Sequence, residues 1–175
     1  SIEIFNKVVA LDPKILSAYL FLSTIELEVY ENFDKAFDIL ENGMNAFPND
    51  SRIINNYAYG LLLQNKIVEA KNLLQRSVDT SDNIFLIATN GLLLIKEGKL
   101  EEGIDKYNIA SSNALNELNY DLSERINQKK YLEIATYHYN RGNNEEAIQC
   151  LKKGLKAKTK YIYYKTKIVN LLKQL

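Results

Sequence analysis

The side chains best suited to catalysis are one histidine, His138, and one cysteine, Cys150. A thiolate nucleophile needs a base beside it, and a zinc site needs three or four Cys, His or carboxylate ligands. His138 and Cys150 lie twelve positions apart, on segments that we expect to form different helices. Because neither a metal cluster nor a nucleophile pair has enough members, we predict that both side chains pack in the core.

Two adjacent carboxylate pairs, Glu101 with Glu102 and Glu145 with Glu146, have the composition needed for acid–base chemistry. Both pairs fall at the starts of predicted helices, where the helix dipole stabilises negative charge. The sequence has no glycine-rich phosphate loop, no GxSxG motif and no HExxH motif. We therefore predict that the chain is not an enzyme and uses no cofactor, metal or small-molecule substrate.

The composition indicates a helical protein. Of 175 residues, 46% are hydrophobic and 25% are charged, which is typical of a globular chain that can bury a core. Seven glycines and two prolines supply too few tight turns for a sandwich or a barrel. The most apolar stretch, residues 84 to 95, is shorter than the roughly 18 to 20 residues that a membrane-spanning helix needs. We expect an all-α chain with no membrane span.

Cysteine usage leaves the compartment open, because a single cysteine cannot form an internal disulfide. We prefer the cytoplasm. The chain begins at Ser1 in the middle of a repeat described below, so we expect any targeting segment to lie upstream of that residue.

Charge is distributed unevenly along a chain of zero net charge. Residues 1 to 50 contain nine acidic residues and three lysines, a net charge of −6, whereas the residues after Glu146 contain eight lysines and no acid, a net charge of +8. A basic segment with interleaved tyrosines could serve nucleic acid, anionic lipid or an acidic partner. The simpler interpretation is a solvated lysine face, which makes nucleic acid an unfavoured partner.

The sequence contains an internal repeat of about 34 residues. A small residue recurs in four similar segments, DKAFDIL, VEAKNLL, EEGIDKY and EEAIQCL, at Ala36, Ala70, Gly103 and Ala147, with spacings of 34, 33 and 44. A bulky residue follows four positions later in each copy, which is helical spacing. A second amphipathic stretch precedes each segment, joined to it by a polar link such as QNK, KEGK or NRGNN. Each unit is predicted to be a hairpin of two helices, A and B.

The small residues predict the seam between the two helices, because Ala or Gly lets two helix axes approach closely. Pro13 and Pro48, 35 positions apart, each follow a predicted helix B. A residue without an N–H cannot continue the helix there, so the chain turns into the next hairpin.

With this period, seam residue and closing proline, the chain resembles the tetratricopeptide-repeat (TPR) family. The resemblance implies an all-α fold, a right-handed α-solenoid of antiparallel helix hairpins. We expect a single solenoid over residues 1–175, with a half unit at 1–13, units at about 16–48, 51–82, 84–117 and 128–159, and a capping helix at 160–174. The extra residues 118–127 contain Asp121 and Glu124, a capping-box-like pair, so we expect them to lengthen the last helix A at its start.

The final helix has the pattern of a cap. Ile162, Ile168, Leu171 and Leu172 are predicted to form its inner apolar side, with lysines opposite. A solenoid's last hairpin lacks a neighbour, and such a helix shields its core from water.

The resemblance also implies a binding site, because the family binds peptides on the inner wall that one side of every helix A lines. The wall positions correspond here to Arg52, Asn55, Asn56, Tyr59, Phe85, Leu92, Lys129 and Thr136. The lysine and asparagine set with which some members clamp a terminal carboxylate is missing, since Asn55 is followed by Tyr59 and no lysine occupies the fifth position of a helix A. An uncharged, partly aromatic groove remains, in which Asn55 and Asn56 would bond a peptide backbone.

The alternative for Tyr59, Phe85 and Leu92 is that they pack between neighbouring hairpins. We interpret the chain as a protein-binding scaffold or adaptor for a protein or peptide partner whose identity the sequence does not give, centred on the third and fourth units. Two other functions stay open: the regulatory or substrate-presenting arm of a larger enzyme, and a self-association module.

Overall fold

The computed structural model describes residues 7, 12, 14–77 and 83–175. Within these residues the chain forms nine α-helices and no strand, so the predicted all-α fold class is confirmed. The helices are α1 (Leu16–Glu28), α2 (Phe33–Ala46), α3 (Ser51–Leu63), α4 (Ile67–Leu74), α5 (Ile84–Lys96), α6 (Leu100–Asn116), α7 (Tyr120–Tyr139), α8 (Asn144–Gly154) and α9 (Ile162–Leu172). The half unit predicted at 1–13, including Pro13, falls almost entirely outside the described residues.

The chain divides into two compact units, Ser1–Thr80 and Ser81–Leu175. In the first unit each helix packs on its neighbour in sequence, and α1 also contacts α3. In the second unit α5 packs on α6, α6 on α7 and α7 on α8, while α9 contacts both α7 and α8. Stacked helix pairs therefore build each unit separately. No helix within the described segments is both long and apolar enough to cross a membrane.

The four small repeat residues lie where two helices meet, as predicted. Ala36, Ala70, Gly103 and Ala147 are all buried. A Cβ atom on Gly103 would come within 2.5 Å of Ile95 Cγ1 and 2.7 Å of the Gly91 carbonyl oxygen. Since real Cβ atoms essentially never approach so closely, α5 and α6 can keep this separation only with glycine at position 103.

The polar links between helices A and B turn through left-handed residues. Asn65 has φ 60°, Gly98 has φ 87° and Gly142 has φ 77°. Glycine and asparagine adopt this region most readily, which explains why each predicted link contains one of them. Four of the helices then start on an asparagine or aspartate that accepts a backbone N–H, namely Asn32, Asp50, Asn83 and Asn119.

The extra residues lengthen α7 at its start, as predicted, and α7 reaches 20 residues. The predicted cap was wrong. Asn119 caps the helix by accepting from the Leu122 backbone N–H at 3.1 Å, because its side chain stands three residues before that free donor. Asp121 lies inside the first turn and instead accepts from the Lys160 backbone N–H at 2.8 Å.

The predicted inner face of the last helix is correct at Ile168, which is fully buried with Ala135, Ala147 and Leu151. It is wrong at Ile162, which is 73% exposed. At about 100° per residue, positions 162 and 168 point in different directions, whereas Tyr164 stands one turn before Ile168 and is buried in its place.

Candidate peptide-binding surface

Helix α3 carries four of the predicted site residues, and Arg52 stands at its start. The Asp50 carboxylate caps the helix through the Arg52 backbone N–H at 2.9 Å and also binds the guanidinium, with Arg52 Nη2 2.7 Å from Asp50 Oδ2. The Arg52 hydrogen bonds hold the pKa of Asp50 below its usual value. The Arg52 side chain remains 58% exposed, so this end of α3 presents a neutralised ion pair to solvent.

Asn56 connects α3 to α1. Its side-chain Nδ2 lies 3.3 Å from the Leu20 carbonyl oxygen, 3.2 Å from Ser23 Oγ and 3.3 Å from Thr24 Oγ1. All three acceptors belong to one turn of α1, where both hydroxyls also donate to the Leu20 carbonyl. The donor side of Asn56 is therefore used to hold two helices together.

Tyr59 makes a second connection to α1. Its hydroxyl donates to Glu28 Oε1 at 3.1 Å, and both side chains are buried. The ring therefore has little surface left for a ligand, in line with the alternative that Tyr59 packs between helices.

Asn55 lies beside Asn56 but is bonded differently. It is only 6% exposed, and its Nδ2 reaches no closer than 3.4 Å to Asn56 Oδ1. Within the described part of the chain, Asn55 Oδ1 is buried without a hydrogen-bond partner. Leaving a buried acceptor unpaired costs about 1–3 kcal/mol. Of the predicted residues on α3, Asn55 has the largest unused hydrogen-bonding capacity.

The two predicted residues on α5 have opposite environments. Phe85 follows the Asn83 cap in the first turn and is 52% exposed. Leu92, two turns later, is fully buried. Leu92 has no surface that a partner could contact and serves the core, because the helix face on which it lies is covered by protein.

The two predicted residues on α7 lie in a more polar setting. Lys129 is buried with its Nζ 5.7 Å from the centre of the Tyr164 ring, and the half-buried Thr136 donates its hydroxyl to the Leu132 carbonyl at 2.9 Å. Burial raises the pKa of the neighbouring Glu133, against the opposing charges of Lys129 and Lys96. Thr136 is thus engaged within its own helix.

Several polar residues that matter to the fold were missed from the sequence. Glu26 is 3% exposed and pairs with Lys35 at 2.6 Å, and Glu28 accepts from Tyr59. Tyr107, by contrast, is the bulky residue that the repeat pattern predicts four positions after Gly103; it is fully buried in α6, its hydroxyl has no hydrogen-bond partner in the described segments, and burial raises its pKa well above the usual value. Alternation of polar and apolar residues gives no signal for such groups, since a charged residue is by default assigned to the solvent side.

Comparison with known proteins identifies the architecture. No protein-family model and no curated protein sequence matches the chain. Among solved structures, PilW, a type IV pilus biogenesis factor, matches with a TM-score of 0.52 at 14% identity over 96% of this chain and 87% of its own. MamA matches at 0.51 with 17% identity over 89% and 85%. YrrB, a TPR protein with an unusual peptide-binding site, matches at 0.50 with 13% identity over 100% of both chains. The chain has the tetratricopeptide-repeat fold.

In this TPR arrangement α1, α3, α5 and α7 take the place of helix A, and α2, α4, α6 and α8 that of helix B. The eight predicted wall residues all lie on helices A. On α3 they belong to one surface in which Asn56 and Tyr59 bind α1 while Arg52 is exposed and Asn55 keeps an unpaired acceptor. Of the two predicted residues on α5, Phe85 is exposed and Leu92 is buried. The TPR fold thus divides the predicted set into residues that hold helices together and residues with capacity left for a ligand.

Proposed function

We propose that the chain is a protein–protein interaction scaffold that binds a peptide segment and performs no catalysis. The TPR fold and its likeness to YrrB, a TPR protein with a peptide-binding site, support this proposal. Its primary contact is on α3 at Asn55, and Phe85 on α5 provides a separate exposed ring. The observation that carries the proposal is the unpaired, buried oxygen of Asn55.

An asparagine side chain carries the same donor and acceptor groups as a peptide bond. Because Asn55 Oδ1 is buried, the side chain must turn outward on binding, and a backbone N–H of an extended peptide then donates to Oδ1 and compensates the acceptor that the fold leaves unpaired. Asn55 would then bind the peptide backbone through one hydrogen bond, independently of the ligand's side chains.

The charge around Asn55 argues for an uncharged stretch of ligand. Arg52 is the only cation on α3, and its guanidinium is already bound by the Asp50 carboxylate. A ligand carboxylate would have to displace Asp50 to gain a charged contact. We therefore propose that the backbone and apolar side chains of the peptide supply most of the contact.

The remaining predicted residues have supporting roles in this proposal. Asn56 and Tyr59 hold α3 against α1 and so fix the direction of Asn55. Lys129 and Thr136 remain proposed contacts on α7, Lys129 through the small part of its side chain that is accessible. Leu92 is left out because it is fully buried.

A peptide-display selection on the folded chain tests the function directly. A library of random peptides is panned against the wild-type chain, and the dissociation constants of the enriched peptides are measured for wild type, Asn55→Ala and Asn72→Ala. Asn72 is an exposed asparagine on α4 of the same unit and is the matched control. Losing one hydrogen bond, worth about 0.5–1.5 kcal/mol, should weaken binding of Asn55→Ala by roughly 2- to 10-fold.

The control Asn72→Ala should bind as wild type does. In nuclear magnetic resonance spectra, the Asn55 side-chain amide signals should shift on addition of an enriched peptide. Equal affinities of all three chains, or no enrichment of any peptide sequence, would reject this site.

A further inference from the structure

The C-terminal helices present a strongly basic surface. Lys152 and Lys153 lie in the last turn of α8, Lys156 follows that helix, and Lys165 lies in α9, all of them exposed. Within the described segments none of these four lysines makes an ion pair. Residues 147 to 175 contain eight lysines and no acid, and the two acids of α8, Glu145 and Glu146, lie two turns before Lys152 and Lys153.

The aromatic residues of this segment are already covered by protein cations. The Arg125 guanidinium lies 3.8 Å from the centre of the Tyr161 ring, and Lys167 Nζ lies 5.5 Å from the centre of the Tyr163 ring. Tyr164 is buried. Single-stranded nucleic acid is bound largely by stacking bases on open aromatic faces, which this surface does not offer. Lysine ammonium groups act as separate point charges, which separate exposed carboxylates complement.

An acidic stripe on α2 has this complementary chemistry. Asp34, Asp38 and Glu41 stand at helical spacings of four and three residues, so they share one face, and all three are exposed. Lys35, the only lysine of α2, pairs instead with Glu26 of α1. Among the described residues Asp34 and Asp38 make no ion pair.

We propose that the basic surface of α8 and α9 in one copy binds the acidic stripe of α2 in a second copy. The complementary charges within one chain of zero net charge carry this inference, because each copy presents one surface of each sign. Such a contact joins two different faces, so it adds copies head to tail. It uses α2, α8 and α9, not the proposed peptide surface on α3, and so does not depend on that function.

A contact made of exposed charges is weak and sensitive to salt. Exposed charges attract each other over about 20 Å in about 20 mM salt, but over only about 4 Å in about 500 mM salt, because the added ions screen them. Sedimentation equilibrium of the whole chain over a concentration series should give an average mass above 20.1 kDa that rises with concentration in the dilute salt. In the concentrated salt the mass should return to 20.1 kDa. A mass of 20.1 kDa at every concentration in both salts overturns the proposal.

Charge reversal identifies the two surfaces. Lys152→Glu, Lys156→Glu and Lys165→Glu together should abolish the rise in mass, as should Asp34→Lys, Asp38→Lys and Glu41→Lys together. The chain with all six changes carries two reversed but complementary surfaces and zero net charge, so its mass should rise again with concentration. Failure of this combined chain to associate, with circular dichroism showing an intact fold, would overturn the pairing of these two surfaces.

A matched control separates surface from net charge. Lys14→Glu, Lys99→Glu and Lys106→Glu together make the same change in net charge at exposed positions outside both surfaces. This chain should still associate in dilute salt, whereas loss of association here would contradict a defined contact. The peptide-site variant Asn55→Ala should associate as wild type does, so a failed peptide site and a failed self-contact give different results.

Discussion

The two units of the chain hold their helices together by different means. In the first unit, side chains on α3 reach directly to α1, through Asn56 and Tyr59. In the second unit, the added first turns of α7 bind the backbone that leads into α9, through Asp121 and Glu124. The first unit thus uses positions that the resemblance to the TPR family assigned to a ligand.

The second unit joins helices through residues inside the repeat, such as Lys130 to Asn108, and adds residues that the repeat does not contain. The inserted residues thus add contacts without using the predicted wall positions of α7, Lys129 and Thr136.

We expect the largest effect on stability from substitutions of the glycines at the helix seams. Gly103→Ala should lower the free energy of unfolding by about 2 kcal/mol, because the new methyl group meets the Gly91 carbonyl and the Ile95 backbone. Gly43→Ala in the first unit meets first the flexible tip of Ile53 at 2.9 Å, and alanine also favours the helix by about 1 kcal/mol. We expect its unfolding free energy to stay within about 1 kcal/mol of wild type.

Urea denaturation followed by circular dichroism gives both values. If both substitutions lowered the free energy of unfolding equally, the second unit would tolerate the added methyl group as well as the first. That result would contradict a rigid backbone contact at Gly103.

The connection between α3 and α1 predicts the next largest effect. Asn56→Ala removes a donor that three α1 oxygens share, so the free energy of unfolding should fall by about 1–2 kcal/mol. Tyr59→Phe removes one donor to the buried Glu28 and should cost about 1 kcal/mol. Thermal unfolding of the two variants checks the order. A stability unchanged in Asn56→Ala would show that these contacts do not hold the first unit together.

The stacking of Arg125 on Tyr161 predicts a smaller effect in the second unit. Arg125→Ala should lower the free energy of unfolding by about 0.5–1 kcal/mol, since it removes a partly exposed cation–π contact. Hydrogen exchange measured by mass spectrometry should locate the loss in residues 155–172, with α3 unaffected. Faster exchange in α3 would argue against separate means of support in the two units.

The smallest effect is a dependence on pH. The Lys160 backbone N–H, as the leading cause, holds the pKa of Asp121 below its usual value. A carboxyl group whose pKa is lower in the folded state stabilises that state above its unfolded pKa, near 3.9, and this stability is lost as pH falls through the folded pKa. The Lys160 amide signal should therefore move as the pH falls below about 4. In Asp121→Asn the Lys160 amide signal should not move over this pH range, because asparagine does not titrate.

The period of the repeat, its small seam residues and the long α7 were predictable, because each depends on the spacing of residue types along one helix. The different hydrogen bonding of Asn55 and Asn56 on α3 was not predictable from the sequence. The helix A positions that the resemblance assigns to a ligand also face the preceding helix A in the first unit, and only the partner atoms decide between the two roles. Asn56 donates to three oxygens of α1, whereas Oδ1 of Asn55, one residue earlier, accepts from no donor in the described chain. The exposed Ile162 was missed for a related reason, since Tyr164 takes the buried position that an apolar pattern assigned to isoleucine.

The central proposal is that neighbouring asparagines on α3 have separate roles, Asn55 in binding a peptide and Asn56 in stability. The most direct measurement compares Asn55→Ala and Asn56→Ala for both unfolding free energy and affinity for a selected peptide. We predict that Asn55→Ala is at least as stable as wild type, because it removes an unpaired buried acceptor, and that it loses roughly 2- to 10-fold in affinity, whereas Asn56→Ala loses about 1–2 kcal/mol of stability. A stable Asn55→Ala chain that binds the peptide as tightly as wild type would contradict the account.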